Sequence, residues 1–174
     1  MATERQILGV LGETLVIRHS RCPKCKRIRT LKRLPANFRC ADVICDFCGY
    51  LAQVKASTVE DPAKIPDQVL AAAWAPQEAR MRSGIFFPLF LVLYAGPRNF
   101  RILYLPADLQ EPTMFIKRAP LSAKARRAGW QGFNYSFRGM KHLFAEIYAK
   151  RPNKALEPTP TSVTDRAAHA PRQP

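Results

Sequence analysis

The apolar positions change period several times along the chain, and each change marks an element. In residues 3–11, Ile7, Leu8 and Leu11 recur at helical spacing and predict a short helix. Residues 13–20 read as an extended lead into a first pair of cysteines. Residues 38–44 and 51–56 read as short strands joined by a turn from Cys45 to Gly49. Residues 66–81 predict a helical stretch, with Pro66 in its first turn and Pro76 ending or kinking it. Residues 85–94 are aromatic and aliphatic without alternation, the pattern of a buried central strand. Gly96-Pro97-Arg98-Asn99 then turns the chain into a further strand at 100–105. Residues 137–148 predict a final helix. From Pro152 to Pro174, Pro, Thr and Ala dominate and large apolar side chains nearly vanish. That is the composition of a disordered tail. The expected division is a folded domain at 1–150 and a Pro-rich tail at 151–174. Strands interleaved with helices predict an α/β fold, a small mixed sheet flanked by helices, with a knob inserted early.

Composition sharpens this picture. At 174 residues and 47% hydrophobic, the chain is long enough for one domain with a real core. The formal net charge of +15 and a pI near 10.2 favour a polyanionic partner. The charge is clustered. Lys24, Lys26, Arg27, Arg29, Lys32, Arg33 and Arg39 fall between the cysteine pairs. Lys117, Arg118, Lys124, Arg126, Arg127, Arg138 and Lys141 interleave with Trp130, Phe133, Tyr135 and Phe137. Basic and aromatic residues together suit phosphate neutralisation with base or sugar contacts. An anionic membrane is a poorer match, because no amphipathic basic helix or lipidation signal accompanies the charge. The longest apolar run, 85–95, is too short to span a bilayer and contains Pro88. Residues 1–10 carry Glu4 and Arg5 and lack the apolar core of a secretory leader. The expectation is a soluble, cytoplasmic protein.

The cysteines carry the first chemistry. Cys22-Pro23-Lys24-Cys25 and Cys45-Asp46-Phe47-Cys48 are two CxxC turns, each aiming two thiolates at one point. Their separation fits the four-cysteine zinc pattern. Four sulfur ligands close a tetrahedral Zn²⁺ site and leave no position for substrate, so the metal is expected to be structural. Disulfides would need an oxidising compartment. Cys40 is left over and reads as a free thiol in or near a strand.

The second constellation surrounds the second pair. Two strands joined by a turn bring Asp42 beside Gln53, and Gln53 and Lys55, two apart, project from one strand face. Oxygen ligands from Asp42, Gln53 and Val54 would hold Mg²⁺, and a nearby lysine would position water or stabilise a transition-state oxyanion. Alone, the spacing D-x10-Q-x-K says little, since most such hairpins simply display surface residues.

Four stretches together add a family. They are residues 13–20 leading into Cys22-Pro-x-Cys25, Ala41-Asp42-x-x-Cys45-x-x-Cys48, the strand ending on Lys55, and Pro120-Leu121-Ser122-Ala123-Lys124-Ala125-Arg126-Arg127-Ala128-Gly129-Trp130-Gln131-Gly132. Over roughly residues 3–137 the chain resembles the catalytic domain of DpnI-type restriction endonucleases, the Dam-replacing family of PD-(D/E)XK nucleases. The last block is the most specific match. The resemblance implies a restriction-endonuclease-like fold with an embedded four-cysteine zinc knuckle. It also implies a Mg²⁺-dependent site of Asp42, position 53 and Lys55, acting on double-stranded DNA, adenine-methylated in the family. Position 53 is Gln53 where DpnI-type enzymes carry Glu. Mrr-like branches of the superfamily carry the same Q-x-K, and Glu13 is the candidate for the missing charge. DpnI-type enzymes continue into a winged-helix domain that reads methylated DNA, whereas this chain is expected to run into its Pro-rich tail. Lys124, Arg126 and Arg127 are expected on phosphates, with Trp130 stacking on a base or lining a methyl-base pocket; the alternative makes Trp130 a core anchor and Gly129 a tight turn.

The leading reading is a Mg²⁺-dependent restriction-type endonuclease. The second is a zinc-containing DNA-binding module whose active site has decayed at Gln53. A third, a zinc-ribbon adaptor for nucleic acid, is disfavoured by the pairing of Asp42 and Lys55 with the Arg-Arg-Ala-Gly-Trp block.

Overall fold

Thr3 opens the first helix, α1 (Glu4–His19), through a capping box: its hydroxyl accepts from Gln6 N–H, and Gln6 Oε1 accepts from Thr3 N–H at 2.8 Å. This computed structural model describes residues 3–36, 38 and 41–152. The expected tail beyond Pro152, the leftover Cys40 and Arg39 lie outside the described residues. α1 runs through residues 13–19 of the stretch 13–20 that was expected to be extended, and Ser20 is its extended C-cap. Gly12, Leu15 and Val16 are its buried positions, spaced i, i+3 and i+4, and burying that stripe against a sheet outweighs the local strand preference of a Thr-Leu-Val-Ile run.

Ten further elements follow: β1 (Leu31–Arg33), β2 (Val43–Cys45), β3 (Leu51–Thr58), β4 (Gln68–Ala73), α2 (Trp74–Arg82), β5 (Leu89–Gly96), β6 (Asn99–Leu105), β7 (Phe115–Lys117), β8 (Gly132–Ser136) and β9 (Ala145–Lys150). They form a six-stranded sheet in the order β1-β2-β3-β5-β6-β9 and a three-stranded sheet in the order β4-β8-β7. The β3–β5 pair is parallel and the other pairs are antiparallel, so the large sheet is mixed. The expected α/β class holds.

β5 shows why its sequence lacks alternation. Phe90 and Val92 enter the core under α1, while Leu89, Leu91 and Leu93 enter the core under the small sheet. Both faces are buried, so both sets must be apolar. β3 is different. Ala52 and Val54 are buried on the α1 side, and the intervening Gln53 and Lys55 point to the opposite side at one end of the second core.

Two expected helices are corrected. In 66–81 only Trp74–Arg82 is helical, and Gln68–Ala73 is a strand paired with β8. Pro76 sits in the first turn of α2, where its missing N–H has no intrahelical partner, and so it starts the helix that it was expected to end. Residues 137–148 hold a short 3-10 turn, Lys141–Leu143, and then β9, which satisfies the open edge of β6. Gly139, at φ 74°, reverses the chain before any helix can form. Of the strand expected at 38–44, residues 39 and 40 lie outside the described residues; 38, 41 and 42 are not strand, and the described strand is Val43–Cys45.

α1 lies unusually close to β3. A Cβ on Gly12 would stand 2.7 Å from the Cβ of Ala56, closer than van der Waals contact allows. Alanine at 12 would favour an isolated helix by about 1 kcal/mol. The overpacking should prevail: Gly12→Ala is expected to destabilise the fold by roughly 1–3 kcal/mol. Adding Ala56→Gly should recover part of the loss. Thermal unfolding of the two variants checks this, and an unchanged midpoint for Gly12→Ala would mean the helix does not sit against β3 as described.

Candidate active site and metal centre

The two CxxC turns are built alike. Lys26 N–H donates to Cys22 O and Gly49 N–H to Cys45 O, each at 2.9 Å. Cys22 N–H closes its loop onto Arg27 O at 3.0 Å, and Cys45 N–H bonds Tyr50 O at 2.8 Å. The four sulfurs converge: Cys22 and Cys48 Sγ are 3.6 Å apart, Cys25 and Cys45 Sγ 3.7 Å apart, and all four lie within 4.8 Å of one another. A tetrahedral ion with Zn–S bonds of about 2.3 Å has sulfur–sulfur edges of about 3.8 Å. The donor set therefore fits one zinc ion with little adjustment. Burial pushes the Cys22 thiol up to about 12. Burial opposes ionisation of Cys45 too, yet hydrogen bonds from Thr30 and from the N–H groups of Cys48 and Phe47 bring it down to about 6. Backbone amides aimed at sulfur in this way also suit a metal-bound thiolate.

β2 leads straight from this centre to the second site. At the site end its last paired residue is Val43, opposite Ala52, and beyond Ala52 no strand partner of β3 on that side is found among the described residues. Asp42 occupies the gap. Its own N–H donates to Ala52 O at 3.0 Å, its carbonyl accepts from Leu34 N–H at 2.9 Å, and its Oδ2 accepts from Val54 N–H at 2.7 Å. Lys55 Nζ stands 3.7 Å from the same Oδ2. Val54 thus acts through its backbone amide, its side chain being buried under α1.

Gln53 faces the cleft between β3, β4 and α2, whose lining includes Asp42, Lys55, Gln77, Arg80 and Phe133. Its Oε1 accepts from the phenol of Tyr135 at 2.5 Å. Burial, and then the charge of Asp42, hold that phenol protonated, so it is a lasting donor. Glu13 approaches from α1 and shares cavity walls with Asp42, Val54, Lys55 and Arg127. Its carboxylate pairs with Arg33 Nε at 2.8 Å. Burial, and next the neighbouring charge of Asp42, raise its pKa, with Arg33 and Lys55 working against them. Two acids crowded in a half-buried cleft are what a divalent cation with oxygen ligands relieves. Asp42 and Glu13 share a cavity that could hold one, and Gln53 opens onto the adjoining cavity that Asp42 also lines.

The Arg-Arg-Ala-Gly-Trp block forms a loop closed by Leu121 N–H to Trp130 O at 2.9 Å and Gly129 N–H to Leu121 O at 3.1 Å. Gly129 turns at φ 73°. Lys124, Arg126 and Arg127 are exposed. Arg127 alone of these reaches the cavity of Glu13 and Asp42, and its guanidinium lies 4.9 Å over the Trp130 ring. Trp130 is half-buried, its ring packed on Gly132 so closely that a Cβ there would lie 2.7 Å from it. It is both a loop anchor and a partly open aromatic surface.

Tyr135, Gln77, Arg80 and Arg33 were not read from the sequence as parts of this site. Tyr135 carried a faint signal, an aromatic in a basic stretch, but its partner is 82 positions away.

The family model for DpnI, the Dam-replacing family, matches residues 1–146. The chain belongs to that family, and membership implies a restriction-type endonuclease acting on DNA. No helix among the described residues is long and apolar enough to cross a membrane.

The sulfur geometry predicts about one zinc per chain, measurable by elemental analysis of the purified protein. Cys45→Ser should lower zinc content and the unfolding midpoint together, because β2 hangs from that residue. A well-folded protein without zinc would refute the assignment.

Proposed function

We propose that residues 1–150 form a Mg²⁺-dependent nuclease of the PD-(D/E)XK type that hydrolyses phosphodiester bonds of double-stranded DNA. The observation that carries this reading is that Asp42 and Lys55, 3.7 Å apart, line two adjoining cavities, one walled by Gln53 and the other by Glu13 and Arg127. Bound Mg²⁺ would offset charge developing on the phosphate and lower the pKa of a coordinated water. Asp42 is held still by Val54 N–H, which fixes the direction its carboxylate presents to the cleft. Lys55 lies close enough to place its ammonium beside an attacking water or a phosphoryl oxygen, where charge is greatest in the transition state. Glu13 supplies the second negative charge that Gln53 lacks. Arg127, with Lys124 and Arg126 behind it, offers cations to phosphates flanking the cleft. Adenine-methylated duplex is the substrate to test first, since the family is a Dam-replacing one. Four reduced cysteines arranged for metal suit a reducing, cytoplasmic setting.

A second reading has one observation in its favour. The Gln53 oxygen is engaged by Tyr135, so in the present arrangement the amide offers the cleft less acceptor capacity than a carboxylate would. A DNA-binding module with lost cleavage would look the same.

Cleavage of methylated and unmethylated plasmid, with and without Mg²⁺, separates the two. Asp42→Ala is expected to abolish cleavage. Lys55→Ala should lower the rate by about 100-fold or more, the scale of losing one transition-state charge contact, while leaving DNA binding in place. Gln53→Glu should reduce the Mg²⁺ concentration needed. If neither the parent nor Gln53→Glu cuts either plasmid, the binding-module reading replaces this one.

A further inference from the structure

We propose that the first zinc turn and the loop after it, residues 21–32, form a second phosphate-binding surface for duplex DNA, separate from the cleft; the choice of DNA as partner rests on the endonuclease reading. The two cysteine turns share one hydrogen-bonding plan, and in both the fifth residue adopts left-handed backbone. In the second turn that residue is Gly49, at φ 68°. In the first it is Lys26, at φ 62°, and Arg29 follows at φ 59°. Glycine enters this region freely, whereas residues with a side chain enter it rarely. Among the described residues, Lys26 and Arg29 are the only non-glycine positions with positive φ; Gly84, Gly96, Gly129 and Gly139 fill the others outside the zinc turns. The knuckle thus puts a cation at both places where its backbone would accept glycine more readily. Unfavourable backbone retained under a fixed scaffold is a feature of functional positions.

The surroundings fit an anionic, grooved partner. Arg21, Lys24, Lys26 and Arg29 are exposed, and no described carboxylate lies within ion-pair distance of them. Arg27 lies 3.5 Å over the ring of Phe47, which is itself 56% exposed, and Ile28 is 60% exposed. The result is an apolar tip ringed by unneutralised cations. Phosphates would meet the cations, and the tip would meet sugar or base edges. The distance also suits one duplex. Asp42 and Cys45 are separated by three residues of extended chain, about 10 Å. That separation is well inside one helical turn of duplex, about 34 Å.

The test uses the double variant Lys26→Gly and Arg29→Gly, built in the Asp42→Ala chain so that the labelled duplex stays intact. Glycine relieves the left-handed backbone, so zinc content and unfolding midpoint should be retained, and both are measured. Duplex binding is followed across salt concentration. Losing two phosphate contacts should flatten the slope of log affinity against log salt by about 1.8, at about 0.9 per contact. An unchanged slope and affinity would overturn the proposal. If Arg126→Ala with Arg127→Ala weakens binding in the same assay while the glycine variant does not, the knuckle role fails and the endonuclease reading stands. If the Asp42→Ala chain binds no duplex at all, both fail. Tighter binding of single-stranded RNA than of duplex would overturn the choice of DNA.

Discussion

The hydrogen bond from Val54 N–H to Asp42 Oδ2, 2.7 Å long, stands where a ladder bond between strands would otherwise be. The pairing of β2 with β3 ends at Val43 and Ala52, and the Asp42 carboxylate accepts from the Val54 amide beyond that point. An unpaired amide at that edge would cost about 1–3 kcal/mol if water could not reach it. The same contact orients Asp42 towards the cleft without using a flexible side chain as support. It also couples the cleft to the four-sulfur cluster. The far end of β2 is Cys45, held by the sulfur cluster, so the position of Asp42 depends on a staple three residues away.

Charge explains how the cleft accommodates its acids. The chain carries a formal +15, yet its site places two acids near each other. Arg33 on Glu13 and Lys55 on Asp42 balance them locally. These pairs are partly exposed, so each contributes only modestly to stability. Their larger effect is to hold the acids in place while the surrounding basic surface keeps the long-range field attractive to polyanions.

Much of this was legible in the sequence, because the readable parts are local. The CxxC turns fix their own geometry, and a hairpin fixes the relation of Asp42 to Gln53 and Lys55. The buried central strand at Leu89–Gly96 could be read from its lack of alternation. The failures are places where distant packing overrode local preference. The second half of α1 is helical because Gly12, Leu15 and Val16 must cover β3, a fact absent from residues 13–20 themselves. Ala145–Lys150 is a strand because β6 has an open edge. The cleft wall formed by Gln77, Arg80 and Phe133 comes from elements whose closeness to Asp42 depends on how the small sheet docks, and no spacing rule encodes that.

Gln53 is where the local and distant parts meet. Tyr135 is fully buried and needs an acceptor for its phenol, and Gln53 Oε1 is that acceptor. A carboxylate at 53 could accept the same hydrogen bond, but it would add a further negative charge beside Asp42 and Glu13. In a half-buried cleft, that charge is costly until a cation arrives. The amide keeps the Tyr135 bond and omits the charge; in the proposed nuclease this would weaken the hold on a divalent ion. Under that proposal Glu13 would reverse part of the loss from the helix side, where Arg33 already pairs with it. A second charge on α1 in place of β3 would therefore sit where Arg33 of β1 already supplies a counter-ion.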